Sequence, residues 1–168
     1  GQKKKKQGWY TKLFFLRIPM GSPDPLMRSL AKSVGWMFSG LFFVAWFGLI
    51  AAGATMIALN WSAYHSATMN VLTTGSWWLF PIVFILLKFV HELGHGIAVR
   101  KFGGAVPEWG VQLLLFITPL TYVDASESWR MKQRIQRIIT AAAGMYIELM
   151  FGAIAALIWA NTEPGLLN

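Results

Sequence analysis

The chain contains no cysteine. Disulfides and thiolate metal sites are therefore excluded, and any metal must be held by histidine or carboxylate side chains. Charge is also scarce. Only 13% of the 168 residues are Asp, Glu, Lys or Arg, against roughly 25% in an ordinary soluble domain. None of the four occurs between Lys32 and Lys88. With 55% hydrophobic residues and nine tryptophans, such a chain could hardly cover a water-soluble core, and an integral membrane protein is expected. Acidic residues are the rarest charges, 7 against 15 Lys and Arg, for a net charge of +8. The basic residues flank apolar runs. That pattern suits topology signals and anionic headgroups rather than nucleic acid.

Residues 1–33 read as a basic cytoplasmic tail, with "QKKKKQ" as a solvated charge run, followed by an interfacial helix. In "GSPDPLMRSLAKS" Asp24 suits a cap and Pro25 the first helical position. Leu26, Met27, Leu30 and Val34 would share one face, as in a helix lying on a membrane surface. Residues 34–168 read as a membrane-embedded core with spans over about 34–59, 77–102 and 138–160. Each is long enough for roughly 30 Å of hydrocarbon. The uncharged polar stretch 60–76 is expected to be a loop, and His65 within it an ordinary loop histidine. Gly103-Gly104 is expected to stop the second span.

Residues 105–123 are apolar, rich in β-branched residues and contain Pro107 and Pro119. Arg100 and Lys101 precede them; Arg130, Lys132, Arg134 and Arg137 follow. The positive-inside rule puts both clusters in the cytoplasm, so this segment is expected to be a re-entrant loop or β-hairpin, not a crossing. The spans then run in-to-out, out-to-in and in-to-out, with the N-terminus cytoplasmic. The fold class expected is all-α: a polytopic membrane protein with three transmembrane helices, the re-entrant segment and the interfacial helix.

The second span carries "HELGH". His91, Glu92 and His95 fit H-E-x-x-H. Positions i and i+4 lie about 40° apart around a helix and about 6 Å along it, so two imidazoles can converge on one Zn2+. Glu92 follows His91 by about 100°. From there it can take a proton from an attacking water and pass it to a leaving amine. Ionisable groups are costly inside a bilayer unless paired or ligated, and two of the chain's three histidines sit in this motif. His91 precedes Arg100 by nine residues, about 13 Å along a helix, which places the site nearer the cytoplasmic face.

"FVHELGHGIAVRKFGG" resembles the zinc helix of the site-2 protease family of intramembrane metalloproteases. "VPEWGVQLLLFITPLTYVDASESWR" and "KQRIQRIITAAAGMYIELMFGAIAALIWA" are similar to its bacterial peptide zinc metalloprotease branch. The resemblance covers most of residues 13–168. It implies that His91 and His95 are zinc ligands, that Glu92 is the general base and acid, and that residues 105–123 lie beside the active site. It also implies a membrane-spanning or membrane-associated polypeptide substrate, bound extended, and a bacterial cytoplasmic membrane location. The family's third zinc ligand is an Asp, usually followed by Gly, on a later helix. No Asp-Gly occurs here. With a start at Gly1 and a close at Leu166-Leu167-Asn168, the expectation is a partial chain that is inactive in isolation.

Other polar residues in apolar surroundings stay open. Glu148 can be a third ligand, a partner to a ligating histidine, or a contact between helices. Lys88 can pair with Glu92 or Glu148, or line a cavity. Asp124 suits a turn in "DASES" more than a metal. Gly94 and Gly96 permit close backbone approach. The activity expected is zinc-dependent peptide-bond hydrolysis within the membrane. The alternative is a non-proteolytic component of a peptide or protein secretion assembly, with secretion components as partners.

Overall fold

The computed structural model describes residues 15–114 and 118–162; the basic run at residues 3–6 lies outside them. The elements are β1 (Phe15–Gly21), α1 (Asp24–Val34), α2 (Gly40–Leu59), α3 (Trp61–Thr73), α4 (Leu79–Lys101), β2 (Trp109–Leu114), β3 (Thr118–Val123) and α5 (Arg134–Ala160). Among the described residues, three stretches are long and apolar enough to cross a membrane: Gly40–Leu59, Ser76–Lys101 and Arg134–Ala160. Only 6% of the most apolar window of the first is buried inside the protein. Its Leu41, Val44 and Phe47 stand exposed, a surface that only lipid or another apolar partner would cover.

The helix pairs alternate in direction. His95 meets Thr140 and Lys88 meets Glu148, so α4 and α5 are antiparallel. Trp46 stacks on Tyr146 and Gly53 meets Ala153, so α2 and α5 are parallel. The relative directions match alternating spans. α2 begins six residues later than the composition suggested, because Gly35–Phe38 forms a 3-10 turn and the Ser39 hydroxyl accepts from the Phe42 amide at 3.4 Å. α4 stops as expected: Gly103 has φ +86° and the Gly104 amide donates to the Val99 carbonyl at 3.0 Å.

Several expectations are corrected. The fold is mostly helical but not all-α: β1, β2 and β3 form an antiparallel sheet in the order β1-β2-β3. The β2–β3 hairpin occupies the segment read as re-entrant loop or hairpin, whereas β1 falls in the stretch read as tail and helix lead-in. Residues 61–73 are helical rather than a loop. Asp24 does not cap α1, whose N-cap position is Pro23 with no side-chain hydrogen bond. Its carboxylate instead accepts from the Val106 amide at 3.0 Å and lies 3.4 Å from Arg100.

The buried core gathers at the end of α4 that carries Arg100. Met27, Ile97, Val99, Val106 and Met131 form it, with Leu30, Val34 and Leu93 packed around them. The apolar face of α1 is thus spent at least partly on protein. Met27 is fully buried and fills the notch left by Gly96, where a Cβ would stand 2.7 Å from its sulfur. This cluster anchors α1 and the sheet on the half of α4 that carries HELGH.

Candidate metal centre

α4 and α5 come together through small residues. A Cβ on Gly94 would lie 2.8 Å from the Ala143 carbonyl oxygen, so the backbones are in direct contact there. One turn further along, Gly144 leaves the space into which the His91 ring fits; a Cβ there would overlap the imidazole. The run Ala141-Ala142-Ala143-Gly144 supplies this close approach.

Both histidines of the motif face α5. Their Nε2 atoms lie 3.1 Å apart. His95 Nδ1 is 2.7 Å from the Thr140 carbonyl oxygen, which can only accept, so this nitrogen carries the hydrogen and its Nε2 presents a lone pair. His91 Nδ1 is buried and faces Glu148 Oε2 at 3.0 Å, off the line of a good hydrogen bond. A lone pair against a carboxylate oxygen would be repulsive, so the hydrogen belongs on His91 Nδ1 as well. With both rings neutral, two Nε2 lone pairs then point toward one another. A cation relieves that repulsion. Two imidazole nitrogens at zinc-bond length in a tetrahedral sphere stand about 3.3 Å apart, close to the spacing observed. The pair therefore fits two positions of a zinc sphere, with the Thr140 carbonyl and the Glu148 carboxylate facing the opposite ring nitrogens.

Glu92 lies on a different side of α4, toward the sheet. Its Oε2 accepts a hydrogen bond from the Val123 amide at 2.9 Å, at the end of β3. Beside it is a cavity of about 240 Å3, lined by Phe89, Leu93, Trp109, Val111 and Tyr122 among others. The buried Thr121 hydroxyl has no hydrogen-bond partner among the described residues. Tyr122 donates to Glu108 at 2.6 Å. Burial, and then the Glu108 carboxylate, push its hydroxyl up to about 12, so it remains a donor.

Of the open readings, Lys88 pairs with Glu148 at 2.9 Å, not with Glu92. Glu148 approaches His91 from the Nδ1 side, away from the paired Nε2 atoms, and is not placed as a third ligand to them. Asp124 turns back to accept from the Ser126 amide at 2.9 Å. His65 lies on α3 near Trp61. No group of three or more potential metal ligands comes together among the described residues. The features that sequence reasoning missed are backbone ones: the Thr140 carbonyl, the Val123 amide and the empty Cα face of Gly144. Only the small-residue run in α5 could have hinted at them.

One of the helices long and apolar enough to cross a membrane thus carries the histidine pair, with Glu92 next in sequence to His91. Residues 79–164, just over half of the chain, match Peptidase family M50, and the chain belongs to that family, the site-2 protease family. A Bacillus subtilis (strain 168) protein named "Putative peptide zinc metalloprotease protein YydH" is 31% identical over 74 residues, which cover 44% of this chain and 29% of that protein. The chain thus spans well under half of that relative. No solved structure matches.

Proposed function

We propose that this protein is an intramembrane zinc metalloprotease that hydrolyses peptide bonds of membrane-spanning or membrane-associated polypeptides. The observation that carries the reading is the pair of Nε2 atoms, 3.1 Å apart, on a membrane-length helix in which Glu92 follows His91 in sequence. Family membership and the relative named as a peptide zinc metalloprotease support it.

His91 and His95 would hold the zinc through Nε2. When bound, the metal supplies Lewis-acid chemistry, acidifying water and polarising a carbonyl. The Thr140 carbonyl orients the His95 ring. Glu92 is the general base and acid: with Oε2 held by the Val123 amide, Oε1 takes the proton of the attacking water and returns it to the leaving amine. The sheet against α4 keeps this carboxylate in place and borders the cavity on its flank. The location proposed is the bacterial cytoplasmic membrane with the N-terminus inside, since the basic clusters around Arg100 and Arg134 then both face the cytoplasm.

The test is Glu92→Gln in the full-length protein. Cleavage of a membrane peptide should fall by about 10²–10⁴-fold while zinc content is kept. If the cellular function survives that substitution intact, a non-proteolytic role in a secretion or transport assembly replaces the protease reading.

A further inference from the structure

Three polar side chains lie in a row across the α4–α5 contact, at the depth where both helices are otherwise apolar. Lys88 Nζ is 2.9 Å from Glu148 Oε1, and Glu148 Oε2 is 3.0 Å from His91 Nδ1. One carboxylate therefore bridges a lysine and an imidazole, using a different oxygen for each. Lys88 also lies 5.9 Å from the centre of the Phe84 ring. An ion pair in a membrane span is a poor way to gain stability, because desolvating both charges offsets their attraction. Its presence between two apolar helices calls for another role. The His91 end supplies one. Of the two histidines, only His95 has its Nδ1 fixed by a backbone carbonyl. His91 Nδ1 has no backbone partner, and Glu148 is the group that faces it.

We propose that Glu148, clamped by Lys88, is the positioning residue of the metal centre: it sets the tautomer and the orientation of His91 so that Nε2 faces His95. This rests on the zinc reading above and deepens it. It also settles what Glu148 is for: with its oxygens turned to Nδ1 and to Lys88, it acts on the metal through His91. Lys88 acts at one further remove, holding Oε1 so that Oε2 stays on the ring. Gly144, one turn before Glu148 on the same face of α5, completes the arrangement, since the ring lies against its bare Cα and has no room to retreat toward the helix.

The test is metal affinity, read by chelator competition against zinc and by the visible absorption of the cobalt(II)-loaded protein. It uses the full-length protein in detergent micelles with Glu148→Leu, Glu148→Gln and Lys88→Met. Glu148→Leu should weaken zinc binding by about 10–100-fold, in line with the loss of a ligand-orienting partner. Glu148→Gln keeps the shape and an acceptor oxygen and should recover part of that loss. Lys88→Met should weaken binding less than Glu148→Leu, and cobalt spectra should shift in all three. If Glu148→Leu fails to fold, Glu148→Gln decides. Unchanged affinity and spectrum in the folded variants overturn the proposal, as does a lowered unfolding temperature with unchanged affinity, which would make the bridge merely structural. A wild-type protein that takes up no zinc sinks the protease reading itself; one that binds zinc indifferently to residue 148 sinks only the positioning role.

Discussion

The ring of His91 packs against the bare Cα of Gly144, and a single methyl group added there would occupy the same space as the imidazole. Gly144→Ala must therefore move the ring, the helix or both. Forcing an extra carbon into a close-packed contact costs about 1–3 kcal/mol. Thermal unfolding should show that loss, and zinc per chain should drop because His91 can no longer face His95.

Removing either imidazole should remove the metal. His91→Ala and His95→Ala are each expected to lose stoichiometric zinc and all measurable peptide cleavage. His65→Ala, on α3, should keep both. Elemental analysis of the purified variants makes the comparison.

Met27 is fully buried between α1 and α4, in the notch at Gly96. Met27→Ala leaves a cavity there and should destabilise the protein by about 2–5 kcal/mol. The zinc affinity of the protein that remains folded should be little changed, because Met27 touches neither histidine pairing. Denaturant unfolding paired with metal titration separates the two effects.

Asp24 links three elements: its carboxylate accepts from the Val106 amide and lies near Arg100 and Arg28. Asp24→Ala strands that amide, at a cost of about 1–3 kcal/mol. Arg28→Ala should change stability by well under 1 kcal/mol, since an exposed ion pair contributes little. Unfolding midpoints of the two variants should differ accordingly.

The three membrane-length helices and the pairing of His91 with His95 were legible because their signals are local. A charge-free run announces lipid, and H-E-x-x-H needs only one helix to bring His91 and His95 together. Strand β1 was not legible, because what makes Phe15–Gly21 a strand is β2, with Arg17 pairing across to Gln112 some 95 residues on. Helix α3 was missed for a different reason: "WSAYHSATMNVLT" is uncharged and weakly periodic, so its composition read as loop. Asp24 misled because a residue that can cap a helix can equally serve a distant amide. At the site, Glu148 could be read as a partner to a ligating histidine among other roles, but which histidine and which ring nitrogen it faces depend on the register between α4 and α5.

The contact between His95 and Thr140 is made by a main-chain carbonyl. Point substitution at codon 140 can change what the side chain does but leaves that oxygen in place, so this half of the site is insulated from ordinary mutational drift. Its vulnerability is of another kind. Inserting or deleting one residue in the first turns of α5 would rotate the carbonyl by about 100° and move it by about 1.5 Å. The heritable property guarded at this position is thus helix phase rather than residue identity.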